Sequence, residues 1–291
     1  MFDLIKELTE LVGPVGQEGL VLNHIEKLWS GLGARTERTR VGNVLARVGG
    51  APSGKGKKLL IAAHGDELCY LVRAIDADGF LFLANGQGWT RTTDLRNAFT
   101  IGSRVKVLAR GGVIPGVIAS ATGHIASFTM PDFKELTWND FWVDTGLSRD
   151  ELIARGVTPG TRIIWDGETV QWGHMVVGKA LDDRVPLAVM TEMLRRVPKS
   201  DYAWDVTLAC TVQEEIGTIG AARIKCICPR CQRGLRRRYH RRDWVSGRYP
   251  DGGRKGAAAG AGQGAGPHPQ RFADSLRLRA DEGDGGLRGG Q

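Results

Sequence analysis

Three short clusters hold the residues whose types and spacing could do chemistry. The first is Ala63-His64-Gly65-Asp66-Glu67, at the end of the apolar run KKLLIA. Side chains alternate with period two in extended backbone, so His64 and Asp66 project to the same side. An imidazole with a nearby carboxylate fits a metal ligand oriented by a hydrogen-bonding partner; a histidine that merely caps a strand is the plainer alternative. The second cluster is Gly178-Lys179-Ala180-Leu181-Asp182-Asp183-Arg184, where adjacent acids also suit the positive end of a helix dipole. The third, Gln213-Glu214-Glu215-Ile216-Gly217, directly follows the apolar run VTLACTV. Two carboxylates at a strand end repel unless a cation or a shared proton compensates. One Glu can bind a metal while the other takes a proton from water, which joins Lewis-acid activation to general-base catalysis. Together the clusters offer one His and several carboxylates, a donor set suited to Zn, Co or Mn.

Those clusters need buried strands and helices around them. Phe2, Leu4, Ile5, Leu8, Leu11 and Val12 form a helical stripe, and EGLVLNHIEKLWSGLG reads as a second helix ending at Gly31 or Gly33. RTERTRVGNVLARVGG resembles a hairpin, and KKLLIAAHGDE a short buried strand entering a polar loop. From about Tyr70 to Trp165 the pattern changes to short strands: FLFLAN, RVKVLAR, GVIPGVIAS and RIIWDG. From Val176 the α/β pattern returns, with the helix DDRVPLAVMTEMLRRV, the strand WDVTLACTVQ and the loop-to-helix stretch EEIGTIGAARI. The expected fold class is α/β, with a small β-barrel-like domain inserted in a catalytic domain. Its parts are 1–69, the insert 70–165, and 166–224. In open α/β sheets, sites gather at the carboxyl ends of strands, where the first and third clusters lie.

Composition separates a last segment from the rest. The 291 residues carry 40 Lys+Arg and 32 Asp+Glu, a formal charge of +8. Residues 225–291 hold 15 of those basic groups and 6 of the acidic ones, so the charge divides into −1 before residue 225 and +9 after it. Of those 67 residues, 14 are Gly and only 7 are Ile, Leu, Val or Phe, too little apolar surface to offset the entropy of ordering a chain. This segment is expected to be disordered. Cys226, Cys228 and Cys231 with His240 invite a zinc reading, but the Arg-rich flanks lack helical or strand periodicity. Only Tyr239, Trp244, Tyr249 and Phe272 interleave the basic groups, so a nucleic-acid partner is not expected. Translation of the segment from a shifted reading frame of GC-rich DNA accounts for its Arg, Gly, Ala and Pro better than either. No run of about 18 apolar residues predicts a membrane span. MFDLIKELTELVG lacks a signal-peptide core, and five clustered Cys do not make a disulfide framework, so a cytoplasmic protein is expected.

The clusters AHGDE, GKALDDR and TVQEEIGTIGA closely resemble the M42 family of cocatalytic metallo-aminopeptidases, the tetrahedral and glutamyl aminopeptidase group. LTELVGPVGQEG and DFWVDTGLSRDELIARGVTPGTRI are similar to further family segments, and the likeness runs over residues 1–224. The resemblance implies a cytosolic peptidase that releases N-terminal residues from peptides with two divalent ions, Zn or Co. It implies that His64 ligates one metal with Asp66 holding its imidazole, and that Asp182 bridges both across a cis Asp182-Asp183 bond. Glu214 would be the general base acting on the bridging water, and Glu215 a ligand of the other metal. The insert at 70–165 would serve dimerisation within a large homo-oligomer. The family pattern also needs a later Asp and a C-terminal His; neither has a matching position, which implies truncation or a frameshift near residue 224 and impaired activity. A related metal-dependent amidohydrolase or deacylase, and a non-catalytic assembly protein, are the alternatives.

Overall fold

The computed structural model of the protein describes residues 1–49, 58–86, 101–120 and 138–224. The expectations for residues 225–291, including the zinc, nucleic-acid and shifted-frame readings, lie outside the described residues. The N-terminal helices are α1 (Phe2–Glu10) and α2 (Gly19–Gly31). Strands β1 (Arg35–Arg38) and β2 (Val44–Gly49) form the hairpin, and β3 (Lys58–His64) carries the first cluster to its end. Next come β4 (Tyr70–Ile75), β5 (Leu81–Asn85), β6 (Arg104–Ala109), β7 (Gly112–Ser120), β8 (Phe141–Asp144), α3 (Arg149–Ala154) and β9 (Arg162–Trp165). The chain then forms a small hairpin, β10 (Val170–Trp172) and β11 (Met175–Val177), helix α4 (Leu181–Arg196), strand β12 (Asp205–Thr211) and helix α5 (Ile219–Ile224).

A four-stranded sheet of order β1-β2-β12-β3 is the scaffold of the site. β12 runs antiparallel to β2 and parallel to β3. The parallel register sets Ala63 opposite Cys210 and His64 opposite Thr211, so both strands end on the same rung. Alternation divides the sheet's faces as period two requires. Val44, Ala46 and Val48 of β2, with Val206, Leu208 and Cys210 of β12, join a core shared with α1, α2 and α4. Leu45 and Ala209 turn to the other face, where Ile224 of α5 covers them. α4 brings its buried residues Leu187, Ala188 and Met190 into the larger core, which fixes its N-terminus beside the end of β3.

Strands β4 to β9 close into a barrel of order β4-β5-β8-β7-β6-β9. Every second residue points inward: Leu81 and Leu83, Val105 and Val107, Phe141 and Val143 are buried in one cluster. Leu152 of α3 joins that cluster, and Ser148 and Glu151 form a reciprocal capping box that starts the helix. The barrel strands lie between Tyr70 and Trp165, so the sequence between β3 and α4 leaves the sheet and returns to it.

Candidate metal centre

The site gathers where β3, α4 and β12 end. His64 is buried, and its Nε2 lies 3.2 Å from Asp182 Oδ1 and 3.8 Å from Glu214 Oε2. Its Nδ1 lies 3.1 Å from the Asp66 backbone carbonyl and 3.5 Å from Asp66 Oδ1. The backbone amide of His64 donates to Asp183 Oδ2 at 3.3 Å. Donor atoms of His64, Glu214 and Glu215 lie within 4.8 Å of one another, as do those of His64, Asp182 and Asp183. His64 thus belongs to both groups, and the two groups share one small volume.

Asp66 has no exposed surface, and its contacts extend beyond the imidazole. Its Oδ1 accepts the amide of Glu214 and its Oδ2 the amide of Glu215, each at 3.0 Å. One carboxylate therefore ties the end of β3 to the loop after β12. Burial favours a neutral Asp66, but the His64 hydrogen bond and the two amides outweigh it and hold the group below the usual carboxylate range.

The electrostatics of the site favour a cation. Burial first, then the other acids, pushes Glu214 up, and the same causes push Glu215 up to about 7 against the pull of His64. Burial and Asp182 likewise raise Asp183. Burial opposes charge on His64, yet Asp66, Asp183 and Glu214 push its pKa up to about 9. One imidazolium among the five carboxylates of Asp66, Asp182, Asp183, Glu214 and Glu215 leaves net negative charge at a partly buried site. The donor set is one nitrogen and several oxygens, which fits divalent Zn, Co or Mn.

The α4 segment departs from a regular helix where it meets the site. The Asp182-Asp183 peptide bond is cis, and Ala180 has φ of 53°. Neither acid has helical dihedrals, so they do not act as a plain helix N-terminus. Behind them Glu67, Lys179 and Arg184 form a buried ionic group. Lys179 Nζ donates to both Glu67 oxygens, at 2.8 and 3.1 Å, and Arg184 Nη2 lies 3.5 Å from Glu67 Oε1. Arg184 also donates to the carbonyls of Gly65, Leu8 and Leu11. Burial pushes the Lys179 amine below its ordinary range despite Glu67. A cleft of about 450 Å3 opens in front of this group, reaching from Asp182, Glu215 and Lys179 to Arg104, Trp165 and Asp166 on the barrel side.

All five residues singled out in the sequence, His64, Asp66, Asp182, Glu214 and Glu215, come together here. Asp183 joins them through its contact with the His64 amide, and Glu67, Lys179 and Arg184 support them from behind. These four lay inside the same clusters, yet spacing alone gave none of them a task. The β10–β11 hairpin also lacked a sequence signal, because three-residue strands are too short for periodicity.

Residues 42–229, more than half of the chain, match the family described as M42 glutamyl aminopeptidase. The chain belongs to that family. Among M42 relatives, an aminopeptidase from the archaeon Desulfurococcus kamchatkensis has a solved structure that superposes with a TM-score of 0.65. It is 32% identical, over 77% of this chain and 59% of that one. A TET aminopeptidase from a marine sediment Thaumarchaeota archaeon gives 0.63 and 29%, over 75% and 60%. The glutamyl aminopeptidase of Lactococcus lactis is 26% identical, over 76% of this chain and 61% of its own length. The chain thus spans about three fifths of the length of these M42 relatives. Among the described residues, no helix is long and apolar enough to cross a membrane.

Proposed function

We propose that this M42 chain carries the metal site of an aminopeptidase that hydrolyses the first peptide bond of short peptides. The observation that carries the reading is the convergence of Asp182, Asp183, Glu214 and Glu215 on the buried His64, with Asp182 and Glu215 lining the adjoining cleft. His64, Asp182 and Glu215 would hold two divalent ions, Zn or Co. Bound there, the ions supply Lewis-acid polarisation of the scissile carbonyl and charge compensation for the carboxylates.

The chain's own residues do the rest. Glu214 is raised as a base by burial and its side chain is one-third exposed, so it can reach a water. It takes the water's proton as the water oxygen bonds to the carbonyl carbon. It returns that proton to the leaving nitrogen as the carbon–nitrogen bond breaks. Asp66 keeps Glu214 and Glu215 pointed at the site through their amides. The barrel would be the surface through which copies of the chain associate.

The test is metal content together with peptide cleavage. The purified chain should bind Zn or Co, lose it with His64→Ala or Glu215→Gln, and keep it with Glu214→Gln. Any amino-acid release from a peptide should require that metal and vanish in Glu214→Gln. A chain that binds no divalent metal refutes the reading.

A further inference from the structure

Four successive backbone amides lead from the end of β12 to the carboxylate pair, and each donates to a buried side chain. Val212 donates to Asn43 Oδ1 at 3.1 Å and Gln213 to Glu18 Oε1 at 3.1 Å. Glu214 and Glu215 donate to Asp66. Asn43 and Asp66 are fully buried and Glu18 is 5% exposed.

Glu18 is the odd member. It stands at the N-cap of α2, where a side-chain oxygen normally accepts amides of the helix's own first turn. Its carboxylate makes no such bond. It turns instead to Gly16 N at 2.7 Å and, across 195 residues of chain, to Gln213 N. Burying a carboxylate is costly unless it is well hydrogen-bonded, and this one is committed to two backbone amides. The amide it takes from β12 belongs to a strained residue. Gln213 has φ of 54°, in the left-handed region that a residue with a side chain enters at a cost of about 1 kcal/mol. That turn swings the chain out of the strand direction just before Glu214.

We propose that Glu18 is a positioning residue for the metal centre. Its Oε1 holds Gln213 in the left-handed turn that aims Glu214 and Glu215 at His64. The role rests on the metal-site reading above. Loss of the oxygen lets Gln213 relax to negative φ and carries the two carboxylates away from the imidazole. Gln retains an acceptor oxygen at this position, whereas Ala does not.

Cobalt(II) titration of the full chain, followed by visible absorption, tests this without reference to activity. Glu18→Ala should weaken cobalt binding about tenfold or more and alter the band, while Glu18→Gln stays within about threefold of the unmodified chain. Trp29→Phe removes the distant Trp29–Thr191 hydrogen bond and should lower Tm while leaving the cobalt affinity unmoved, which separates positioning from stability. If Glu18→Ala does not fold, Glu18→Asp, whose oxygen is withdrawn by one methylene, carries the same expectation. A folded Ala or Asp variant that binds cobalt like the unmodified chain overturns the role of Glu18. So does a Gln variant as weak as Ala. An unmodified chain without any cobalt band overturns the metal-site reading itself, and the role of Glu18 with it.

Discussion

Lys179 Nζ lies 2.8 Å from Glu67 Oε2, with both side chains more than nine-tenths buried. Arg184 Nη2 stands on the other Glu67 oxygen at 3.5 Å, so one carboxylate answers two cations. Removing the shared partner should therefore hurt more than removing either cation. Glu67→Gln is expected to cost about 3–5 kcal/mol, since it leaves two buried cations uncompensated. Lys179→Met should cost at least about 1 kcal/mol less, because Glu67 keeps Arg184 and the Gly13 amide. Urea unfolding of the two variants in chelator measures both, and the reverse order would contradict the arrangement.

Metal binding should depend on pH through His64. In the metal-free chain its pKa stands at about 9, and a histidine ligand must be neutral. The proton therefore competes with the metal below pH 9, and affinity should rise by about tenfold per pH unit from 7 to 8.5. Metal at one hundred times its dissociation constant should add about 2.7 kcal/mol of stability, and His64→Ala should abolish that gain. Cobalt titrations at three pH values and chelator-matched melts check both. A flat affinity would show that His64 is not protonated in the free chain.

Two glycines should respond in opposite ways. A Cβ on Gly13 would sit 2.6 Å from Val21 Cγ2 and 2.7 Å from Arg184 Nη2, which is packed too tightly to yield. Gly13→Ala is expected to cost about 1–3 kcal/mol by overpacking. Gly19, in the first turn of α2, has nothing within 4 Å of the corresponding position. Gly19→Ala should be neutral or stabilising by up to about 1 kcal/mol. Chemical denaturation of both variants measures the contrast, which disappears if the passage beside Gly13 is not tight.

Burial pushes Cys69 up to about 11 and Cys210 up to about 12, so both are thiols at pH 8. Alkylation proceeds through the thiolate, whose share at pH 8 falls about tenfold for each unit of rise. Peptide mapping after iodoacetamide treatment at pH 8 should find both unlabelled in the folded chain and labelled in denaturant. Labelling of Cys210 at the rate of a free thiol would place it outside the core.

Strand type was legible because the apolar runs before His64 and Gln213 are long and bounded by polar loops. The barrel was legible as a class from its short runs, each alternating inward and outward. Strand order was not legible: placing β12 between β2 and β3 depends on long-range pairing that no local pattern encodes. Ligand candidates were visible because acids beside His are costly without a cation. The contacts of Asp66 and Glu18 to the Gln213–Glu215 loop were hidden because their partners are backbone amides, which every residue but proline carries. Sequence can show that a carboxylate is there, not which loop it holds.

The shared rung of His64 and Thr211 constrains the gene as well as the site. Loss or gain of one residue in β3 or β12 turns every following side chain to the opposite face of the sheet. The imidazole would then enter the core while an apolar neighbour took its place, although every residue of the three clusters was still encoded. Substitutions along these strands can be absorbed one methylene at a time. A change of length cannot, so insertions and deletions should be tolerated in the connecting loops and purged from residues 58–64 and 205–211.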